Sequence, residues 1–240
     1  MKRRVFLSKY ISITVVLILA ILFVAKFGGP SILKLYIETG IGSCQKMPIF
    51  CMAPEKTIIN PEVKREYIAE LIPYKFPKLE ICIPEKFLVV QEKIKKVYYK
   101  KGKPQPTQSI VYLLYEEPDF FVNLFPQLKK QGIVDNYNFI KRTMSAKLKD
   151  IKNLTDAFFV IMKGIFSPDI GDQKNVKMLQ FIIADKKGFI NYNLTKTNNY
   201  FDCNVINRQG DFFKLYIKDT GARLNLDKVL AIISTVNRAK

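Results

Sequence analysis

The sequence predicts an α+β fold: an antiparallel sheet covered by helices and preceded by one N-terminal transmembrane helix. Three observations carry this expectation. Residues 176–217 hold four β-rich runs separated by turn signals, and three of those runs alternate apolar with polar residues. Residues 135–166 hold two segments with apolar side chains at i, i+3 and i+4. Tyr10–Ala25 is an uncharged, almost wholly apolar run, close to the roughly 20 residues that a helix needs to cross a bilayer core.

The N-terminus sets the expected address. Lys2, Arg3, Arg4 and Lys9 precede the apolar run, and Lys26 and Lys34 follow it. The positive-inside bias then keeps residues 1–9 in the cytoplasm, makes 10–26 a signal anchor, and sends the bulk of the chain across. A cleaved signal peptide is the competing reading, but a cut after Ala25 places Phe23 where a small residue is wanted. The expectation is a single-pass inner-membrane protein whose bulk is periplasmic or extracellular. Residues 27–76 read as an extracytoplasmic stalk, with "FGGPS" as a helix-breaking exit. Within it "NPEVKREYIAELIP" predicts a short helix over 61–72, capped by Asn60 and started by Pro61.

Residues 77–240 read as one domain. "LEICI" and "KFLVV" are short β-rich runs, and "SIVYLLY" at Ser109–Tyr115 is a strong strand. A helical region follows at "PDFFVNLFPQLKKQG", which Pro126 must kink or split and Gly132 ends. The next helix carries Tyr137, Ile140, Met144, Leu148 and Ile151 in one stripe, with Asp135 as cap. The one after it carries Leu154, Ala157, Phe158, Ile161, Met162 and Ile165. The C-terminal four-strand meander comes next, and its inward sets are Ile190/Tyr192/Leu194, Phe201/Cys203/Val205 and Phe213/Leu215/Ile217. The other face of those strands is wet or differently covered. Residues 225–238 close the chain as a helix packed on the sheet, with the N-terminal strands completing that sheet.

Composition excludes more chemistry than it suggests. The chain has no histidine, which removes Ser/His/Asp, Cys/His and histidine-ligated metal chemistry, and no metal or cofactor is expected. Its formal charge is +18, which favours anionic partners, although richness in Lys, Ile, Asn, Tyr and Phe is also what A/T-biased coding produces. Cys44 and Cys51 are close enough to pair in a local disulfide, while Cys82 and Cys203 read as small apolar core residues. The densest basic stretch is "KIKKVYYKKGK", which makes Lys93, Lys95, Lys96, Tyr98, Tyr99, Lys100, Lys101 and Lys103 the candidate binding residues for an anionic surface. Three readings compete for it: a solvated edge strand whose lysines discourage unwanted pairing, contact with anionic headgroups or an envelope polymer, and nucleic acid, which needs the opposite topology.

Catalytic candidates are sparse. Asp169 and Asp172 share the turn "SPDIGDQ", where they supply oxygens to a calcium site or cap the neighbouring elements. Ser145 and Lys149 form the only Ser/Lys spacing worth testing beside them. "SILK" at Ser31–Lys34 with "KDTG" at Lys218–Gly221 imitates a penicillin-binding pair, but the first lies next to the apolar run and the second has an extra residue.

The order of elements over "VKMLQFIIADKKGFINYNLTKTNNYFDCNVINRQGDFFKLYIKDTGARLNLDKVLAIIST", a meander followed by a closing helix, resembles the PsbP-like exported α/β sandwich modules. That resemblance implies a non-catalytic binding or assembly domain and assigns no functional residue. The expected function is a membrane-tethered extracytoplasmic binding or assembly module of the cell envelope, held to the lipid bilayer through residues 10–26 and engaging an unknown protein or an anionic polymer. The alternatives are an envelope enzyme using carboxylates or the Ser/Lys pair, and a basic nucleic-acid binder.

Overall fold

The computed structural model describes residues 30–93, 96–99, 108–167 and 175–239. The fold is α+β, and the chain divides into two compact units, Met1–Cys51 with Ala146–Phe166 and Met52–Ser145 with Ser167–Lys240.

The larger unit is built on an eight-stranded sheet. Its strands are β1 (Thr57–Ile59), β4 (Leu88–Lys93), β5 (Lys96–Tyr99), β6 (Ile110–Glu116), β7 (Lys177–Ile183), β8 (Lys186–Leu194), β9 (Asn198–Asn207) and β10 (Phe212–Thr220). Their order in space is β1-β7-β8-β9-β10-β6-β4-β5. From β7 to β10 the strands follow one another as antiparallel neighbours. Gly210, at φ 88°, makes the last of these turns.

The sheet is mixed, which corrects the expectation of an antiparallel one. β4 runs parallel to β6, and β1 runs parallel to β7. The cause of the first pairing is strand placement. β4 turns back as β5, and β6 then docks on the far side of β4 instead of beside β5, so up-down-up leaves β4 and β6 co-directional. A second departure is that "LEICI" does not join this sheet. As β3 (Leu79–Ile83) it pairs antiparallel with β2 (Ile72–Lys75) and β11 (Asn237–Arg238) in a three-stranded sheet of its own.

The unit's core lies between the large sheet, the small sheet and α6 (Leu226–Thr235), which packs on β3. Val111, Leu113, Cys203, Leu215, Ile217 and Ile190 face Ile81, Ile83, Leu230 and Ile233 in one cluster. Each large side chain buried in this way contributes about 1.5–3 kcal/mol. Asn225 caps α6 by accepting the Lys228 amide at 3.0 Å.

Four predicted helices are shorter than their patterns; the closing one, expected over 225–238, ends at Thr235, and Asn237–Arg238 form β11 in its place. The 61–72 segment gives only α2 (Arg65–Ala69), because Asn60 adopts φ 43° and ends β1, and Ile72 already belongs to β2. Pro126 splits the segment "PDFFVNLFPQLKKQG" into α3 (Phe120–Leu124) and a 3₁₀ turn over Pro126–Gln131. α4 (Asn136–Ser145) stops where Lys147 turns extended (φ −130°, ψ 144°), so Leu148 falls in a separate 3₁₀ turn.

The other unit contains α1 (Pro30–Tyr36), a 3₁₀ turn over Pro48–Cys51, and α5 (Leu154–Phe166). Asn153 caps α5 by accepting the Asp156 amide at 2.9 Å, and Asp156 in turn accepts the Lys152 amide. Ile37, Ile49, Phe50, Leu148, Phe159 and Val160 are buried. Gly164 lets the Phe50 ring lie against the helix, since a β-carbon there would come within 2.8 Å of it.

Among the described residues no helix is long and apolar enough to cross a membrane. The longest, α5, has 13 residues, about 20 Å at 1.5 Å per residue against a bilayer core of about 30 Å. This corrects the expectation of a transmembrane signal anchor and of a single-pass inner-membrane protein with a periplasmic or extracellular bulk. The segment 10–26 that carried it lies outside the described residues.

Candidate functional site

The face of the large sheet opposite the core carries the most polar side chains. The register places Asn191, Asp202, Tyr216 and Tyr112 directly opposite one another across β8, β9, β10 and β6. The next row is Phe189, Asn204, Lys214 and Leu114. α4 covers part of this face: Gln180 Nε2 donates to the Tyr137 hydroxyl at 3.0 Å, and the Lys187 ammonium stands 3.9 Å above the Tyr137 ring.

At the centre lies an ion pair. Lys214 Nζ is 2.5 Å from Asp202 Oδ1 and donates to Asn204 Oδ1 at 3.0 Å. Asn191 Nδ2 donates to Asp202 Oδ2 at 3.2 Å and to the Ser167 hydroxyl at 3.1 Å. Asp202, Asn204 and Asn191 are fully buried, and the Lys214 side chain is 16% exposed. Burial pushes the Asp202 carboxyl up, opposed by the Lys214 charge and by the hydrogen bonds from Lys214 and Asn191. Burial likewise pushes Lys214 down, opposed by Asp202. Desolvation is the larger influence on both partners, so the pair tends towards its neutral form, a carboxylic acid beside an amine. Asn204 Nδ2 and Asn191 Oδ1 are buried without a hydrogen-bond partner. Leaving such atoms unmet costs on the order of 1–3 kcal/mol each.

Two other buried carboxylates have structural work. Asp211 accepts from the Tyr115 hydroxyl at 2.8 Å and from Asn207 Nδ2 at 2.9 Å. Asp219 accepts the Leu224 amide at 2.6 Å and the Ser109 hydroxyl at 3.3 Å, tying the end of β10 to the start of β6.

The sequence-derived candidates fall elsewhere. Lys93 ends β4, and Lys96, Tyr98 and Tyr99 form β5, an edge strand of the large sheet. Lys95, Lys100, Lys101 and Lys103 lie outside the described residues, as do Asp169 and Asp172. Ser145 and Lys149 are both exposed. Cys44 and Cys51 are joined in a disulfide, with α-carbons 5.6 Å apart, while Cys82 and the fully buried Cys203 are free thiols. Among the described residues no group of three or more His, Cys, Asp or Glu side chains is placed to hold a metal.

Sequence reasoning passed over Asp202, Asn204 and Lys214, although their signal was available. "YFDCNVI" and "FFKLYIK" alternate, and a turn centred on Gln209 sets Asn204 opposite Lys214. Of the two states open to the polar half of the alternation, wet or differently covered, it takes the second: Asn191, Asp202 and Asn204 are buried in a polar cluster. No protein-family model, curated protein or solved structure matches this chain.

Proposed function

We propose that the protein is a non-catalytic binding or assembly module that engages an acidic partner through its basic helical layer. The observation that carries this reading is the surface of residues 120–145. Lys129, Lys130, Lys141 and Arg142 are exposed there. The only acid in residues 120–145 is Asp135, just before α4, and it accepts the Asn138 amide at 2.6 Å as a helix cap. Leu124 and Val134 are more than half exposed in the same segment. Cations interleaved with apolar side chains suit an acidic protein surface with apolar patches, with charge steering the encounter and apolar contact holding it.

Two further observations support a role without catalysis. Ser145 and Lys149, the candidates for a Ser/Lys mechanism, are each exposed. Asp211 and Asp219 are committed to hydrogen bonds within the fold. The PsbP-like element order implies the same class of function.

The test is capture from nuclease-treated extract by crosslinking, comparing the native chain with the triple variant Lys129→Glu, Lys130→Glu, Lys141→Glu. An acidic protein captured by the native chain, weakened by added salt and lost in the variant, supports the proposal. Equal capture by both chains overturns it. Capture found only in a parallel untreated extract overturns it in favour of the nucleic-acid reading.

A further inference from the structure

From the cluster at the centre of the large sheet we infer that Lys214 and Asn204 become joined by an intramolecular amide bond between the lysine Nζ and the asparagine Cγ, with release of ammonia. This inference stands independently of the binding role proposed above.

The geometry supplies each part the reaction needs. Lys214 on β10 and Asn204 on β9 are directly opposed in the register. Nζ touches Asn204 Oδ1 at 3.0 Å, so the carbonyl carbon is the next atom behind the one it contacts. Holding two reacting groups at such a distance in a rigid sheet replaces a bimolecular encounter with an intramolecular one. The third group is Asp202, two residues before Asn204 on the same face of β9, with Oδ1 2.5 Å from the same Nζ. Asn191 holds the other oxygen of that carboxylate at 3.2 Å. Asn204 and Asp202 are fully buried, which limits competing attack by water.

The steps balance without an oxidant or a co-reactant. The Lys214 ammonium passes a proton to Asp202, giving an amine beside a carboxylic acid, the form that burial favours for both groups. The amine lone pair forms the Nζ–Cγ bond while Asp202 donates its proton to the carbonyl oxygen of Asn204. Asp202 then takes a proton from Nζ, and the carbonyl re-forms as the Cγ–Nδ2 bond breaks. The leaving nitrogen takes up the transferred protons and departs as ammonium, so the positive charge of Lys214 leaves with it. Asp202 ends as a carboxylate. Asn204 Nδ2 makes no hydrogen bond within the fold, so its release breaks none. Attack on Asp202 itself would expel water and would need a second acid, and neither row of this face supplies one.

The product is a covalent rung between two central strands. The deciding measurement is the intact mass of the native full-length chain, reduced and denatured, followed by fragmentation of its peptides. The expected result is a mass about 17 Da below that of the sequence, carried by a branched peptide that contains both Asn204 and Lys214. The deficit should be absent from Asn204→Ala, Lys214→Ala and Asp202→Asn. A native chain with its full mass overturns the inference whatever the variants do. A deficit of about 18 Da mapped to Lys214 and Asp202 also overturns it, since that would be a lysine–aspartate bond.

Discussion

Replacing Lys163 by methionine should stabilise the protein and flatten part of its pH dependence. Lys163 is fully buried on α5, where its Nζ donates to the Ala146 carbonyl at 2.9 Å. Burial, with added repulsion from Lys147, pushes it from its ordinary 10.5 down to about 7. Between those values the unfolded chain carries a proton that the folded chain has released. Stability therefore rises with pH across that window, by about 1.4 kcal/mol per unit, and is flat below about pH 7, where both states are protonated. From about pH 7 to about pH 9 this lysine alone should add roughly 2 kcal/mol. Lys163→Met removes that slope. At neutral pH it should gain several kcal/mol, less about 1 kcal/mol for the Ala146 carbonyl left without its donor. The assay is urea unfolding followed by circular dichroism across that range, read as the difference between the two proteins so that other titrating groups cancel. Parallel pH profiles, or a methionine variant less stable than the native chain at pH 7, would refute the reasoning.

Two further outcomes are expected. Reducing the Cys44–Cys51 bridge, or Cys44→Ser, opens a loop whose ends are seven residues apart, which by loop entropy should cost about 2.5 kcal/mol; a melting temperature unchanged by reductant would contradict this. Gly188→Ala on β8 should be among the most damaging single substitutions, because the added β-carbon meets the backbone oxygen of Asn204 and the Phe181 ring. A loss of about 3 kcal/mol or more is expected in denaturant unfolding, and a loss under about 1 kcal/mol would show that β8 and β9 can part there without penalty.

Local patterns in this chain speak clearly and long-range placement does not. The meander from β7 to β10 was readable because its turns connect neighbours and its apolar residues alternate. Asp135 was readable as a cap because capping acts within three residues. The parallel pairs were not readable. β6 beside β4 and β1 beside β7 are set by which edge of a growing sheet remains open, and no periodicity encodes that. The site was missed for a related reason. Asp202 and Lys214 look like ordinary outward residues of amphipathic strands, and only the elements packed over them make them interior. The membrane expectation rested on one apolar run outside the described residues, and no helix within them repeats it.

The pairing of β1 with β7 has a consequence for how the chain comes to be folded. Thr57 finds its partner at Gln180, more than a hundred residues later. At roughly 5–20 residues per second of synthesis, β1 waits on the order of ten seconds before that partner exists. β4 waits far less, since Leu88 pairs with Ile110. The strands β7 to β10 pair in order of synthesis through short turns, so β1 is an addition to an edge already formed. A nascent chain halted before β7 thus leaves Thr57–Ile59 as an edge without its partner strand.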